Sequence, residues 1–245
     1  MKIFLVLPAF NESNSLGALL ERVQQLLPHF PWPCQVIVVN DGSSDDTEAI
    51  AQAYESKLPL YIHSFTHNQG LGAALAEGFR QALKRGKTGD IIISMDGDNS
   101  HPPGLMNRMI KQIQEGSDIV IASRYQYGSR IVGVNAFRRM LSRVAGMLMQ
   151  ALVRIRGVRD YTCGYRAYRW ELIQSAFQHY NDQHFVEQKG FACMIEVLIK
   201  LKRFNPIIHE VPLILRYDLK ESSSKMRIFR TINETLKMVL KSKNT

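Results

Sequence analysis

Cysteine is scarce in this chain. Its 245 residues include three, Cys34, Cys163 and Cys193, far apart and odd in number. They form no Cys-x-x-Cys pair and no zinc quartet, which excludes a disulfide framework and points to a reducing compartment. Long apolar runs are also missing: none approaches the roughly 20 residues of a membrane-spanning helix. The amino terminus runs directly into a strand pattern, so no signal peptide is expected. Acidic residues are outnumbered, 22 Asp and Glu against 31 Lys and Arg, for a net charge of +9. Such an excess raises nucleic acid as a partner. No zinc finger, ribonucleoprotein motif or aromatic stacking ladder accompanies it, so nucleic acid is not expected. An anionic membrane surface or an anionic lipid substrate fits better, because much of the excess lies in the carboxy-terminal half. Repeats, linkers and low-complexity tracts are absent as well.

What remains is an α/β pattern. Hydrophobic residues make up 45% of the chain, enough to exclude disorder, and the length suits one domain with a substantial core. Strands are expected near 2–8, 35–40, 59–65, 90–95 and 118–123, and helices near 15–27, 45–56, 71–85 and 103–115. This alternation predicts a mostly parallel sheet with right-handed crossovers, sandwiched by helices. Beyond Arg124 the pattern changes. A long helix is expected near 136–154, an irregular segment to about Trp170, a helix near 187–202, a strand at 207–215 and a last helix near 226–241.

The most informative stretch is Ile91-Ile92-Ile93-Ser94-Met95-Asp96-Gly97-Asp98-Asn99-Ser100-His101-Pro102-Pro103. A β-branched run drives into two carboxylates one residue apart. Placed at the carboxyl end of a buried strand, Asp96 and Asp98 suit a hard cation that also binds phosphate oxygens. A solvated turn is the plain alternative. His101 precedes a proline pair that reads as a helix start, and a structural role is favoured for it. Two more apolar strands end in polar turns, at Phe10-Asn11-Glu12 and at Asn40-Asp41. Asp45 and Asp46 read as caps for the helix that follows. Asp41 reads as a ligand contact or as another cap. Gly70-Leu71-Gly72 opens a helix whose amino end favours anions, or else serves close packing. Arg124 follows the strand Ile119-Val120-Ile121-Ala122, where a guanidinium suits a diphosphate or a lipid phosphate.

In order and spacing these pieces resemble the family 2 glycosyltransferases of the GT-A type, the branch of dolichol-phosphate mannose synthase and related polyprenyl-phosphate glycosyltransferases. Pro8-Ala9-Phe10-Asn11-Glu12, Val39 through Thr47, Asn68 through Gly72, Asp96 through Pro103, Ser123-Arg124-Tyr125, Asp160 through Arg166 and Ser224-Lys225-Met226 carry the resemblance. Phe10 stands where the family usually has tyrosine, and Asn40-Asp41 where paired aspartates are common. The resemblance implies a GT-A (Rossmann-like) fold, with a nucleotide-sugar-binding half at 1–125 and an acceptor- or membrane-facing half with amphipathic helices at 126–245. It implies Mg²⁺ or Mn²⁺ on Asp96 and Asp98. It implies a nucleotide-sugar pocket of Pro8, Phe10, Glu12, Val39, Asp41, Gly97, Ser100 and Arg124. Arg138 is a weaker phosphate candidate, and Arg216 and Lys225 are lid cations near a mobile loop at 218–225, which reads equally as an ordinary flexible loop.

The implied reaction is inverting transfer of a hexose, foremost mannose from GDP-mannose, to a polyprenyl or dolichyl phosphate. A phosphate acceptor needs no general base, and among Asp160, Asp182 and Glu187 no base stands out. A UDP-sugar donor, a glycan or glycolipid hydroxyl as acceptor, and a non-catalytic nucleotide-sugar-binding protein are the alternatives. The helix near 136–154 reads as a core helix in preference to an interfacial one. The basic last helix reads as a membrane contact. The expected location is therefore the cytoplasmic face of a membrane, held peripherally.

Overall fold

The computed structural model describes residues 1–134, 136–182, 184–220 and 234–235. Its elements in chain order are β1 (Ile3–Ala9), α1 (Ser13–Leu26), β2 (Cys34–Asn40), α2 (Thr47–Gln52), β3 (Leu60–Ser64), α3 (Leu71–Arg85), β4 (Ile91–Ser94), α4 (Met106–Gln114), β5 (Ile119–Ser123), β6 (Arg130–Val132), α5 (Ala136–Val153), β7 (Arg166–Arg169), α6 (Trp170–His179), α7 (Ala192–Lys202), β8 (Ile208–Pro212) and β9 (Ile214–Arg216).

Seven strands form one sheet in the order β3-β2-β1-β4-β7-β5-β8, and β6 pairs with β9 in a separate ribbon. Every residue of β1, β4 and β5 is buried. Continuous apolar runs of this kind are what parallel strands covered on both faces require. The register places Ile3 beside both Cys34 and Ile91, so β1 sits between β2 and β4. The carboxyl ends of β1, β2 and β4 therefore face the same edge, where open α/β sheets bind ligands.

The expected mostly parallel α/β sheet is present, and α3 has the expected bounds. Several elements differ. β7 lies inside the expected irregular segment and runs antiparallel between β4 and β5. Its four residues, Arg166-Ala167-Tyr168-Arg169, carry no apolar run to announce them. The helix expected from 187 starts at Ala192, because the Glu187 and Gln188 amides donate to the buried Glu196 carboxylate, 2.9 Å each. The strand expected at 207–215 divides: β8 joins β5, and beyond Pro212 the chain turns to pair β9 with β6. Residues after 125 thus supply β7 and β8 to the same sheet as the first half.

Among the described side chains of α5, apolar residues are exposed as well as the charged Arg143. Met140, Val144 and Met147 are 57%, 52% and 61% exposed, an apolar stripe at helical spacing. No helix among the described residues is long and apolar enough to cross a membrane.

Candidate active site

A cavity of about 400 Å³ opens at the carboxyl edge of the sheet. β1 delivers Pro8, Phe10 and Glu12 to it, β2 delivers Asp41, β4 delivers Asp96, Gly97 and Asp98, and β5 delivers Arg124. Ser100 and His101 line it from the loop after β4. Val39 does not reach it. That side chain is fully buried in β2, on the face covered by Gly78 of α3.

Asp98 is held from two sides. Its Oδ1 accepts the Ser100 amide at 3.0 Å and the Ser100 hydroxyl at 2.6 Å. Its Oδ2 accepts the Lys220 ammonium at 2.5 Å. Burial opposes the charge on Asp98, but His101, Lys220 and Ser100 outweigh it and hold the carboxyl below the usual carboxylate range. Asp96 shifts the other way. Burial, with Asp98 adding like charge, raises it above that range, although His101 and Lys220 oppose the rise. A bound cation would favour the charged form of both carboxylates.

His101 is buried, with its ring 5.2 Å from that of Tyr165. Its Nδ1 lies 4.0 Å from Asp96 Oδ2 and has no hydrogen-bond partner. Among the described residues no three His, Cys, Asp or Glu side chains form a ready-made metal cluster. Two carboxylates and an orphaned imidazole nitrogen nevertheless suit a cation that completes its shell with water and phosphate oxygens, as Mg²⁺ or Mn²⁺ does.

Asp41 has an internal role. It accepts the Gln69 amide at 2.7 Å, the Gly70 amide at 2.9 Å and the Asn68 side-chain amide at 3.0 Å. It therefore fixes the turn entering α3, while still lining the cavity. Burial raises its carboxyl, and the two amides oppose that rise. Gly70 adopts φ +101°, and a Cβ there would meet the Lys189 carbonyl oxygen at 2.5 Å. A Cβ on Gly72 would meet the Gln188 carbonyl oxygen at 1.9 Å. Close packing on the 188–189 segment thus accounts for both glycines, and Gly70 also faces the cavity. Asp45 accepts the Thr47 amide at 3.1 Å, as expected of a cap, whereas Asp46 makes no side-chain cap bond.

Arg124 is not a solitary guanidinium. Its Nε and Nη2 grip Asp160 at 2.8 and 2.6 Å, and Nη2 also donates to Thr162 at 2.6 Å. Burial of the guanidinium lowers its proton affinity, yet Asp160 reverses that and raises it well above its ordinary value. Asp160 is fully buried, and Arg124 holds its carboxyl down against desolvation. Removing one member of such a pair costs about 3–5 kcal/mol, because the other charge stays buried.

The three bases considered from sequence all lie off the cavity. Asp160 is locked to Arg124. Glu187 is exposed and pairs with Lys200 and His184. Asp182 is exposed in a turn. The lid candidate Arg216 turns away too: it pairs with Asp218 at 2.7 Å and lines a second groove with Arg22 and Arg108. Arg138 lies in α5, with its side chain outside the described ones, and Lys225 and the expected last helix (save 234–235) lie outside the described residues. Among the described residues, the cations on the cavity besides Arg124 are Lys189 and Lys220, neither named as a site residue from the sequence. Lys220 falls in the loop at 218–225 that reads as a lid, and Lys189 in the helix expected near 187–202.

The family model for glycosyl transferase family 2 matches residues 4–177. The chain belongs to that family. Among family members it is 32% identical to the dolichol-phosphate mannosyltransferase of Pyrococcus furiosus, over 86% of this chain and 56% of that protein. It therefore spans little more than half the length of that relative. It is 31% identical to the polyprenol monophosphomannose synthase of Mycolicibacterium smegmatis, over 86% of this chain and 76% of that one. The fold is shared with glucosyl-3-phosphoglycerate synthase from Mycobacterium tuberculosis, solved in complex with Mg²⁺ and UDP. The TM-score there is 0.67 at 22% identity, covering 98% of this chain and 78% of that one. The sheet is thus that of the GT-A fold.

Proposed function

We propose that this family 2 member is a metal-dependent, inverting glycosyltransferase that moves a hexose, mannose from GDP-mannose foremost, to a polyprenyl phosphate. One observation carries the acceptor class. The cavity collects Arg124, Lys189 and Lys220 around the Asp96–Asp98 pair, while the carboxylates weighed as general bases lie away from it. A phosphate acceptor, with a second pKa of about 6, is already largely dianionic at neutral pH and needs no base. Both relatives are named for mannosyl transfer to a polyprenol or dolichol phosphate.

In the proposed reaction a phosphate oxygen attacks the anomeric carbon. The bond from that carbon to the β-phosphate oxygen breaks, and its electron pair leaves with the nucleoside diphosphate. No proton needs to move. A bound Mg²⁺ or Mn²⁺ would neutralise charge on the leaving diphosphate. Asp98 and Asp96 would hold it, Ser100 would orient Asp98, and Pro8, Phe10, Glu12, Asp41 and Gly97 would line the nucleotide end. We assign residues 1–125 chiefly to the donor and 126–245 chiefly to the acceptor, with the exposed stripe of α5 toward a cytoplasmic membrane face.

Purified protein is tested with radiolabelled GDP-mannose and UDP-sugars, polyprenyl phosphate in detergent, and Mg²⁺, Mn²⁺ or EDTA. Labelled lipid from one donor, lost in EDTA and reduced by orders of magnitude in Asp98→Ala, is the expected outcome. Transfer only to a hydroxyl acceptor would overturn the acceptor class. Donor binding without turnover on any acceptor would identify a non-catalytic binder.

A further inference from the structure

The Lys220 ammonium stands where a metal ion would reach Asp98. It is 2.5 Å from Asp98 Oδ2, while Oδ1 is already engaged by the Ser100 amide and hydroxyl. Glu12 and Asp96 add to the negative field that raises its proton affinity, against the cost of burial. The side chain is 11% exposed. It comes from the turn Tyr217–Leu219 that follows β9. That turn is tied to the carboxylate loop, because the Arg216 amide donates to the Ser100 carbonyl at 2.9 Å. Lysine suits a position that must be vacated: it is a compact charge on a flexible four-carbon stem, without the fixed fork of arginine.

Oδ2 keeps one further lone pair, but a divalent cation coordinating it at about 2.1 Å would lie against the ammonium, and the repulsion between the two charges favours its departure. A displaced ammonium stranded among neutral groups would be costly. A diphosphate provides its next partner. The leaving nucleoside diphosphate carries one more negative charge than it did when esterified to the sugar, so a mobile cation beside it is favoured as that charge develops.

We propose that Lys220 is the resident counter-ion of Asp98 and yields that carboxylate to the metal when a diphosphate arrives to take the ammonium. Metal and donor then bind as a coupled pair, each tightening the other, as linkage requires. The proposal rests on the metal-diphosphate reading above. It makes Lys220 a positioning residue whose first effect is on metal affinity rather than on turnover.

The test measures Mn²⁺ binding to the full chain by the electron paramagnetic resonance signal of free Mn²⁺, alone and with GDP or UDP. In the wild-type protein the nucleotide should tighten Mn²⁺ strongly. Lys220→Met should bind Mn²⁺ alone roughly tenfold more tightly than wild type, with correspondingly smaller coupling to the nucleotide. Lys220→Arg, which keeps the charge, should stay near wild type. A folded Lys220→Met variant, with unchanged circular dichroism and melting temperature, that binds Mn²⁺ alone no more tightly would overturn the proposal and leave the metal site standing. Wild-type protein that binds no Mn²⁺ with either nucleotide would overturn both.

Discussion

At the scale of the residue, the chemistry of this site depends on how each charge is partnered. Asp96 and Asp98 are the same side chain one residue apart, yet their environments push them in opposite directions. Lys220 and Ser100 contribute to the difference, because both hydrogen-bond Asp98, whereas Lys220 reaches Asp96 only through its charge. Gly164, next to β7, protects the other member of the pair. A Cβ there would meet Asp96 Oδ1 at 2.6 Å and Met194 Cε at 3.2 Å. Gly164→Ala should therefore shift Asp96 and weaken Mn²⁺ binding about tenfold to a hundredfold, the range usual for groups that orient a metal ligand. Its melting temperature should change little; unaltered Mn²⁺ affinity in a folded variant would show that Asp96 is not a ligand. Asp96 and Asp98 were legible in the sequence because a strand-like run pointed at them. Lys220 was not, because 122 positions separate it from Asp98 and only the fold joins them.

At the scale of the element, the same residues act by fastening loops to strands and helices. Asp45 bonds the Thr47 amide at the start of α2 and the Ser13 amide at the start of α1, so one carboxylate ties two helix entries together. Burial opposes its charge, but the bonds with Thr47 and Ser13 together outweigh it and bring the carboxyl down to about 2. A depressed carboxyl contributes stability above its unfolded value, near 3.9, and loses it as pH falls toward the folded value. Asp45→Asn keeps one acceptor for Thr47 but turns an NH2 group toward the Ser13 amide, and should therefore cost about 1 kcal/mol at pH 7, the net worth of one hydrogen bond. The gap from wild type should narrow between pH 5 and pH 3. Urea unfolding at those pH values checks this, and a gap independent of pH would mean that the charge is not what matters. α3 was readable to the residue because an apolar stripe ran between a glycine turn and a basic end. β7 was not, since a four-residue strand with two arginines shows no period. Its place is set by β4 and β5, which both pair with it.

At the scale of the whole molecule, the basic excess and the exposed face of α5 bear on the proposed lipid acceptor. Met140, Val144 and Met147 present an apolar stripe, with Arg143 exposed on the same helix. An amphipathic surface of this kind binds anionic bilayers reversibly. Replacing the three with serine should weaken flotation with liposomes containing anionic lipid several-fold and leave GDP binding intact. Equal loss of both would place the stripe in the fold's own packing. By itself, the sequence determined the alternation of strands and helices, the carboxylate pair at the end of β4 and the family. Those signals are local: apolar periods and short motifs that each strand or turn carries whole. Only the tertiary structure decided that Arg124 is locked to Asp160, that β7 closes the gap between β4 and β5, that Arg216 faces another groove, and that Lys220 meets Asp98. Each of those depends on distances between residues far apart in the chain, which no local pattern encodes.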